Sequence, residues 1–72
     1  MSVRFPVCTA SEVVSVLRKH KFGLVGQKGS HQKWRHSDGR MVIVPMHGSK
    51  SIPIGTLKSI VEGAKLAPDD FR

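Results

Sequence analysis

The apolar and polar positions divide the chain into two helical segments around three short strands. Apolar residues recur at helical spacing directly behind Thr9 and Glu12, a pair that matches a capping box. This pattern predicts a first helix over about residues 10–21, with cations in its last turn. Gly23 is expected to end this helix, with Phe22 packed beneath it.

Strand-like alternation follows the first helix and is interrupted by turn residues. The predicted strands cover residues 24–28, 31–36 and 41–44. Gly29-Ser30 predicts a tight turn, and Asp38-Gly39 predicts a hairpin turn. Pro45 is expected to end the third strand, because proline has no backbone N–H to donate to a neighbouring strand. The strands should therefore form a three-stranded antiparallel meander.

A second apolar stripe predicts a helix over about residues 53–65, and Pro68–Phe71 is expected to form one more turn. Residues 1–8 are expected to be an extended lead-in to a single domain over residues 1–72. The element order α-β-β-β-α indicates an α+β fold. Two helices would then pack on one face of the sheet and leave the other face open to water.

The second strand is expected to have two different faces. His31, Lys33 and Arg35 fall on one face, and Gln32, Trp34 and His36 fall on the other. Because the second group faces the helices, Trp34 is expected in the core, although an exposed tryptophan could instead stack on a base. The basic residues would lie on the open face.

Composition adds a strong positive charge. There are 12 Lys and Arg against 5 Asp and Glu, a formal charge of +7, and Asp38 is the only acid between Val13 and Val61. This distribution favours a polyanionic partner, although lysines that only keep the surface hydrated remain an alternative. The single cysteine, Cys8, excludes an intramolecular disulfide and favours a reducing, cytoplasmic location. No apolar run is long enough to span a membrane.

Histidines supply the candidate chemistry. The four histidines, at positions 20, 31, 36 and 47, lack a metal-ligand spacing, so neither a metal nor another cofactor is expected. Histidine moves protons readily near neutral pH, and cations beside His31 could hold a phosphate. The candidate phosphate contacts are Lys28, Gly29, Ser30, Lys33, Arg35, His47 and Lys50. Alternatively, His31 is an ordinary surface residue, His47 orders its loop, and Lys50 is only solvated.

Several short motifs, taken together, resemble the HicA family, the toxin half of bacterial HicA–HicB toxin–antitoxin pairs. They are Gly29-Ser30-His31, Asp38-Gly39-Arg40, Val44-Pro45-Met46-His47-Gly48, Gly55-Thr56-Leu57 and Ala67-Pro68-Asp69-Asp70-Phe71. The resemblance runs from about residue 11 to residue 71. Many members carry a second histidine after the Gly-Ser-His motif, where this chain has Gln32.

This resemblance implies a fold similar to the double-stranded-RNA-binding domain and an endoribonuclease that cuts mRNA. Because RNA carries its own nucleophile, the 2′-hydroxyl group, the first hypothesis is a metal-independent ribonuclease. The resemblance implies that His31 is the catalytic histidine. It also implies a HicB-like antitoxin that covers the site. The free toxin is expected to be a monomer and its complex with the antitoxin a hetero-oligomer. Two other hypotheses remain: a noncatalytic RNA-binding module, and a basic surface that serves mainly to meet an acidic protein.

Overall fold

The computed structural model describes residues 5–72, arranged as two helices, three strands and a short 3-10 helix. These are α1 (Ala10–Lys19), β1 (Gly23–Lys28), β2 (His31–Arg35), β3 (Met41–Pro45), α2 (Ile54–Ala64) and the 3-10 helix (Pro68–Phe71). The strands form one antiparallel sheet in the order β1-β2-β3. The predicted α+β fold and its α-β-β-β-α order are confirmed. Residues 1–4 of the expected lead-in lie outside the described residues, and residues 5–8 form neither helix nor strand.

The start of α1 follows the predicted capping box. The Thr9 hydroxyl accepts a hydrogen bond from the Glu12 amide at 3.3 Å, and the Glu12 carboxylate accepts one from the Thr9 amide at 2.8 Å. These bonds satisfy amide groups that the first helical turn would otherwise leave without partners. The predicted N-terminus is therefore confirmed, together with its chemical cause.

The end of α1 differs from the prediction, because Lys21 rather than Gly23 turns the chain. Lys21 has a φ of 73°, its amide donates to the Arg18 carbonyl, and the amide of Phe22 donates to the Leu17 carbonyl at 2.9 Å. This is the bonding pattern of a Schellman motif. It brings Phe22 into the core at 4% exposure, and that burial offsets the strain of a non-glycine residue at positive φ. Gly23 instead begins β1.

The second helix begins at Ile54, one residue later than predicted, and ends at Ala64, with Lys65 at a φ of 55°. It lies very close to β3 near its end. A Cβ atom on Gly63 would come within 3.0 Å of Val42 Cγ1, so the absence of a side chain there permits the approach.

Both helices pack against the same side of the sheet, where they cover β2 and β3 but leave β1 uncovered. The core includes Leu17, Trp34, Val44, Leu57 and Phe71, all buried. Trp34 is 1% exposed, which confirms its predicted core position, and the Arg18 guanidinium carbon lies 5.3 Å from its ring centroid. Every residue of β1 is exposed, and a bulge at Val25 shifts its register against β2.

Candidate functional site

His31 is the first residue of β2 and lies on the sheet face away from the helices, called here the open face. It pairs with Lys28 of β1 on one side and with Pro45 of β3 on the other. Directly opposed residues of antiparallel strands project to the same face, so Lys28 and His31 lie side by side. Both side chains are exposed. The predicted placement of His31 on a basic open face is therefore observed.

A two-residue turn places His31 at the end of the β1–β2 hairpin. Gly29 has a φ of 58°, whereas Ser30 stays at negative φ, the pattern of a type II′ hairpin turn. The Gln27 side-chain amide donates to the Gly29 carbonyl at 3.1 Å and holds the turn from one side. Gly29 and Ser30, two of the candidate phosphate contacts, thus lie in a hydrogen-bonded turn next to His31.

A depression of about 440 Å³ lies on the open face beside His31. We call this depression the basic depression. It is lined by Gly26, Gln27, Lys28, His31, Lys33 and Ile43. Lys28 and Lys33 form no ion pair with any acid among residues 5–72, and the lining contains no carboxylate. The basic depression therefore offers two uncompensated ammonium groups beside an imidazole, with the apolar side chain of Ile43 as part of its floor.

Arg35 and Lys50 lie outside this depression. Arg35 is four residues further along β2, which at about 3.3 Å per residue is roughly 13 Å from His31. Lys50 is exposed in the loop between β3 and α2. Arg35 shares the open face with His31 and Lys33 but is not part of the lining of the basic depression, and its expected role in phosphate binding stays a prediction.

His47 comes close to His31, although sixteen positions separate the two in sequence. The Met46 amide donates to the Ser30 carbonyl at 2.6 Å, which continues the β2–β3 ladder one pair beyond the strands. The ring centroids of His31 and His47 are consequently 6.5 Å apart, with an angle of 79° between the ring planes. Both rings line a second depression of about 360 Å³, the histidine depression, together with Ile43, Pro45, Pro53 and Thr56.

Sequence reasoning missed a chain of hydrogen bonds that ties the turn to the core. The Trp34 indole donates to the Gln32 side-chain oxygen at 3.2 Å, and the Gln32 amide donates to Gln27 at 3.3 Å. Gln27 in turn holds the Gly29 carbonyl. The signal that could have found this chain is the direct cross-strand pairing of Gln27 with Gln32, which follows once the hairpin register is known.

The other two histidines do not join the site. The ring centroids of His36 and Phe22 are 5.3 Å apart in an edge-to-face arrangement. The His36 Nδ1 atom accepts a hydrogen bond from the Asp38 amide. His20 lies 3.9 Å from an Asp70 oxygen at the end of α1. Within the described part of the chain, no three His, Cys, Asp or Glu side chains are grouped so as to hold a metal ion.

Cys8 is not a candidate nucleophile. Cys8 is 2% exposed, and its thiol donates to the Phe71 carbonyl at 3.3 Å. Burial, with a smaller contribution from Glu12, raises the pKa of the Cys8 thiol above its ordinary value of 9.0. Among the described residues, none of the helices has the length and apolar character needed to cross a membrane.

These features define a small basic α+β domain whose open sheet face carries two neighbouring histidines. A search of curated proteins gives no match. A family model described as the HicA toxin of bacterial toxin–antitoxin matches residues 10–66. Because this match covers well over half of the 72 residues, the chain belongs to the HicA toxin family. It is therefore a toxin of a toxin–antitoxin system, and its partner is an antitoxin.

Proposed function

We propose that this toxin is a metal-independent endoribonuclease that cuts mRNA in the cytoplasm, and that His31 is a catalytic residue. The observation that carries the proposal is the exposed imidazole of His31, which lines the same depression as Lys28 and Lys33, with no carboxylate in that lining. A phosphodiester backbone supplies the negative charge that these lysines lack. Family membership adds independent support, since arrest of translation by mRNA cleavage is one way in which a toxin acts.

RNA brings its own nucleophile, the 2′-hydroxyl group, so the protein needs only proton transfer and charge stabilisation. The 2′ oxygen attacks the adjacent phosphorus, the bond from phosphorus to the 5′ oxygen breaks, and a 2′,3′-cyclic phosphate and a 5′-hydroxyl remain. His31 exchanges a proton with one of these two oxygens. Lys28 and Lys33 oppose the charge that grows on the phosphate, and the Gly29-Ser30 turn contributes backbone donors.

The antitoxin has a defined place in this proposal. A HicB-like protein with acidic side chains would cover the open face, because that face carries unpaired cations. The free toxin would be a monomer and the inhibited complex a hetero-oligomer. Size-exclusion chromatography of the toxin alone and with its antitoxin measures both states.

The test compares purified wild type with His31→Ala on an mRNA substrate in the presence of EDTA. A missing acid–base group should slow cleavage by about 10²–10⁴-fold, with the fold unchanged by circular dichroism. His20→Ala is the matched control, because it removes a histidine that lies outside both depressions. His31→Ala cleaving as fast as wild type would falsify the assignment.

The same proteins distinguish a ribonuclease from a noncatalytic RNA-binding module, an alternative that the unpaired lysines also favour. RNA that is bound but left uncut by the wild type would indicate a binding module. In either case the affinity for RNA should fall as the salt concentration rises. If Lys33 contacts one phosphate of a single strand, Lys33→Ala should reduce the slope of log association constant against log salt concentration by about 0.7.

A further inference from the structure

The two histidines of the open face have free rings that point into one depression. The described residues form no side-chain hydrogen bond with either His31 or His47, and both side chains are exposed. A histidine that ordered its loop would be bonded to that loop. His47 is instead held by its neighbour, because the half-buried Met46 anchors to the Ser30 carbonyl through its amide.

The distance between the rings fits one phosphodiester. A proton-transfer group works within about 2.6–3.2 Å of its oxygen. Two such hydrogen bonds, one to each of two oxygens on the same phosphorus, require two imidazoles that border the same binding position within several ångströms of each other. The ring centroids of His31 and His47 are 6.5 Å apart, and both rings line the histidine depression, so both imidazoles can approach the oxygens of one phosphodiester bound there.

We infer that His47 is the second proton-transfer residue of the site and acts as the partner of His31 in a two-histidine cleavage. The inference rests on the proposed ribonuclease function. One imidazole takes the proton from the attacking 2′-hydroxyl as its oxygen bonds to phosphorus. The other gives a proton to the departing 5′ oxygen as the bond between phosphorus and that oxygen breaks. The protons balance, and no metal or further reactant is needed.

The test uses a leaving group that needs no proton. The linkage that wild type cuts in an mRNA is first mapped, and a short RNA is then made with sulfur in place of the 5′ oxygen at that linkage. A thiolate leaves without protonation, so this substrate bypasses the acid step. His31→Ala, His47→Ala and His20→Ala are each compared with wild type on the oxygen and sulfur substrates, with folding checked by circular dichroism.

We expect His31→Ala and His47→Ala each to lose about 10²–10⁴-fold on the oxygen substrate. The sulfur substrate should restore one of these two variants to within a few-fold of wild type and leave the other slow, which also identifies the acid. His20→Ala should match wild type on both substrates.

Three results would overturn the inference in distinguishable ways. If His47→Ala cuts the oxygen substrate at the wild-type rate while His31→Ala does not, the ribonuclease assignment stands and the role of His47 is wrong. If sulfur rescues neither variant or both, the division into acid and base is wrong. If wild type cuts no RNA at all, the proposed function fails, and the two-histidine inference fails with it.

Discussion

Arg40 joins the β2–β3 hairpin to the end of α2, and its removal should destabilise the fold strongly. Its guanidinium Nε atom donates to Asp38 at 2.8 Å, and its terminal nitrogen donates to the Ala64 carbonyl in the last turn of α2. The guanidinium carbon also lies 5.2 Å from the Phe22 ring centroid. The Arg40 side chain is only 20% exposed, so water cannot easily replace these contacts.

The cost of Arg40→Ala can be summed from two of these contacts. A hydrogen bond from a charged donor to the Ala64 carbonyl is worth about 1.5–3 kcal/mol, and the cation–π contact adds about 0.5–1 kcal/mol. The ion pair with the exposed Asp38 carboxylate is given no value, because solvent screens it. The expected loss is therefore about 2–4 kcal/mol, a large part of the stability of so small a domain. At about 4–8 °C per kcal/mol, Tm should fall by roughly 8–32 °C.

Urea unfolding followed by the fluorescence of Trp34, the only tryptophan, measures this loss. Lys58→Ala is the matched control. Lys58 also lies over an aromatic ring, 5.2 Å from the Phe5 centroid, but it donates to no carbonyl of another element. It should lose less than about 1 kcal/mol. If Arg40→Ala costs no more than Lys58→Ala, the bond to the end of α2 does not stabilise the fold, and the reasoning fails.

Three further predictions follow from single residues. Hydrogen bonds from Arg40 hold the pKa of the Asp38 carboxyl below its ordinary value of 3.8. The ionised carboxylate therefore stabilises the fold above pH 3.8, and this stabilisation is lost as the pH falls through the lowered pKa. Asp38→Asn should make the free energy of unfolding less sensitive to acid, as measured by urea unfolding at each pH. Cys8 should resist iodoacetamide in the folded protein and react after unfolding, as followed by mass spectrometry, and rapid labelling of native protein would contradict its burial. Gly29→Ala places a β-carbon at a φ of 58° and should cost about 1 kcal/mol, whereas Gly26→Ala, at ordinary φ, should cost less in the same unfolding assay.

Local rules were sufficient for much of the fold. The capping box at Thr9 depends on residues three apart, and the burial of Trp34 follows from the alternation of one strand. Both signals lie within a few neighbouring residues, so no knowledge of tertiary contacts is needed to read them. The exposed position of His31 on a basic face follows from the same alternation.

The remaining features depended on tertiary contacts that periodicity does not encode. The end of α1 moved to Lys21 because the burial of Phe22 decides the backbone there. The approach of His47 to His31 depends on the register of β2 against β3, which no single strand reveals. Arg35 and His31 lie on the same sheet face, and for this reason the sequence pattern places them in one group. They are nevertheless four residues apart along β2, and the depression beside His31 does not include Arg35.

The exposure of β1 on both faces has a consequence for how copies of this protein meet one another. A bare outer strand is a template onto which another chain can add by main-chain bonding. Here that template is interrupted, since Val25 bulges out of register, Gly23 and Gly26 offer no side chain to pack, and Lys28 brings a charge to its end. The exposed strand is therefore a poor template for pairing with a second chain, which limits aggregation of free copies of the protein through this edge.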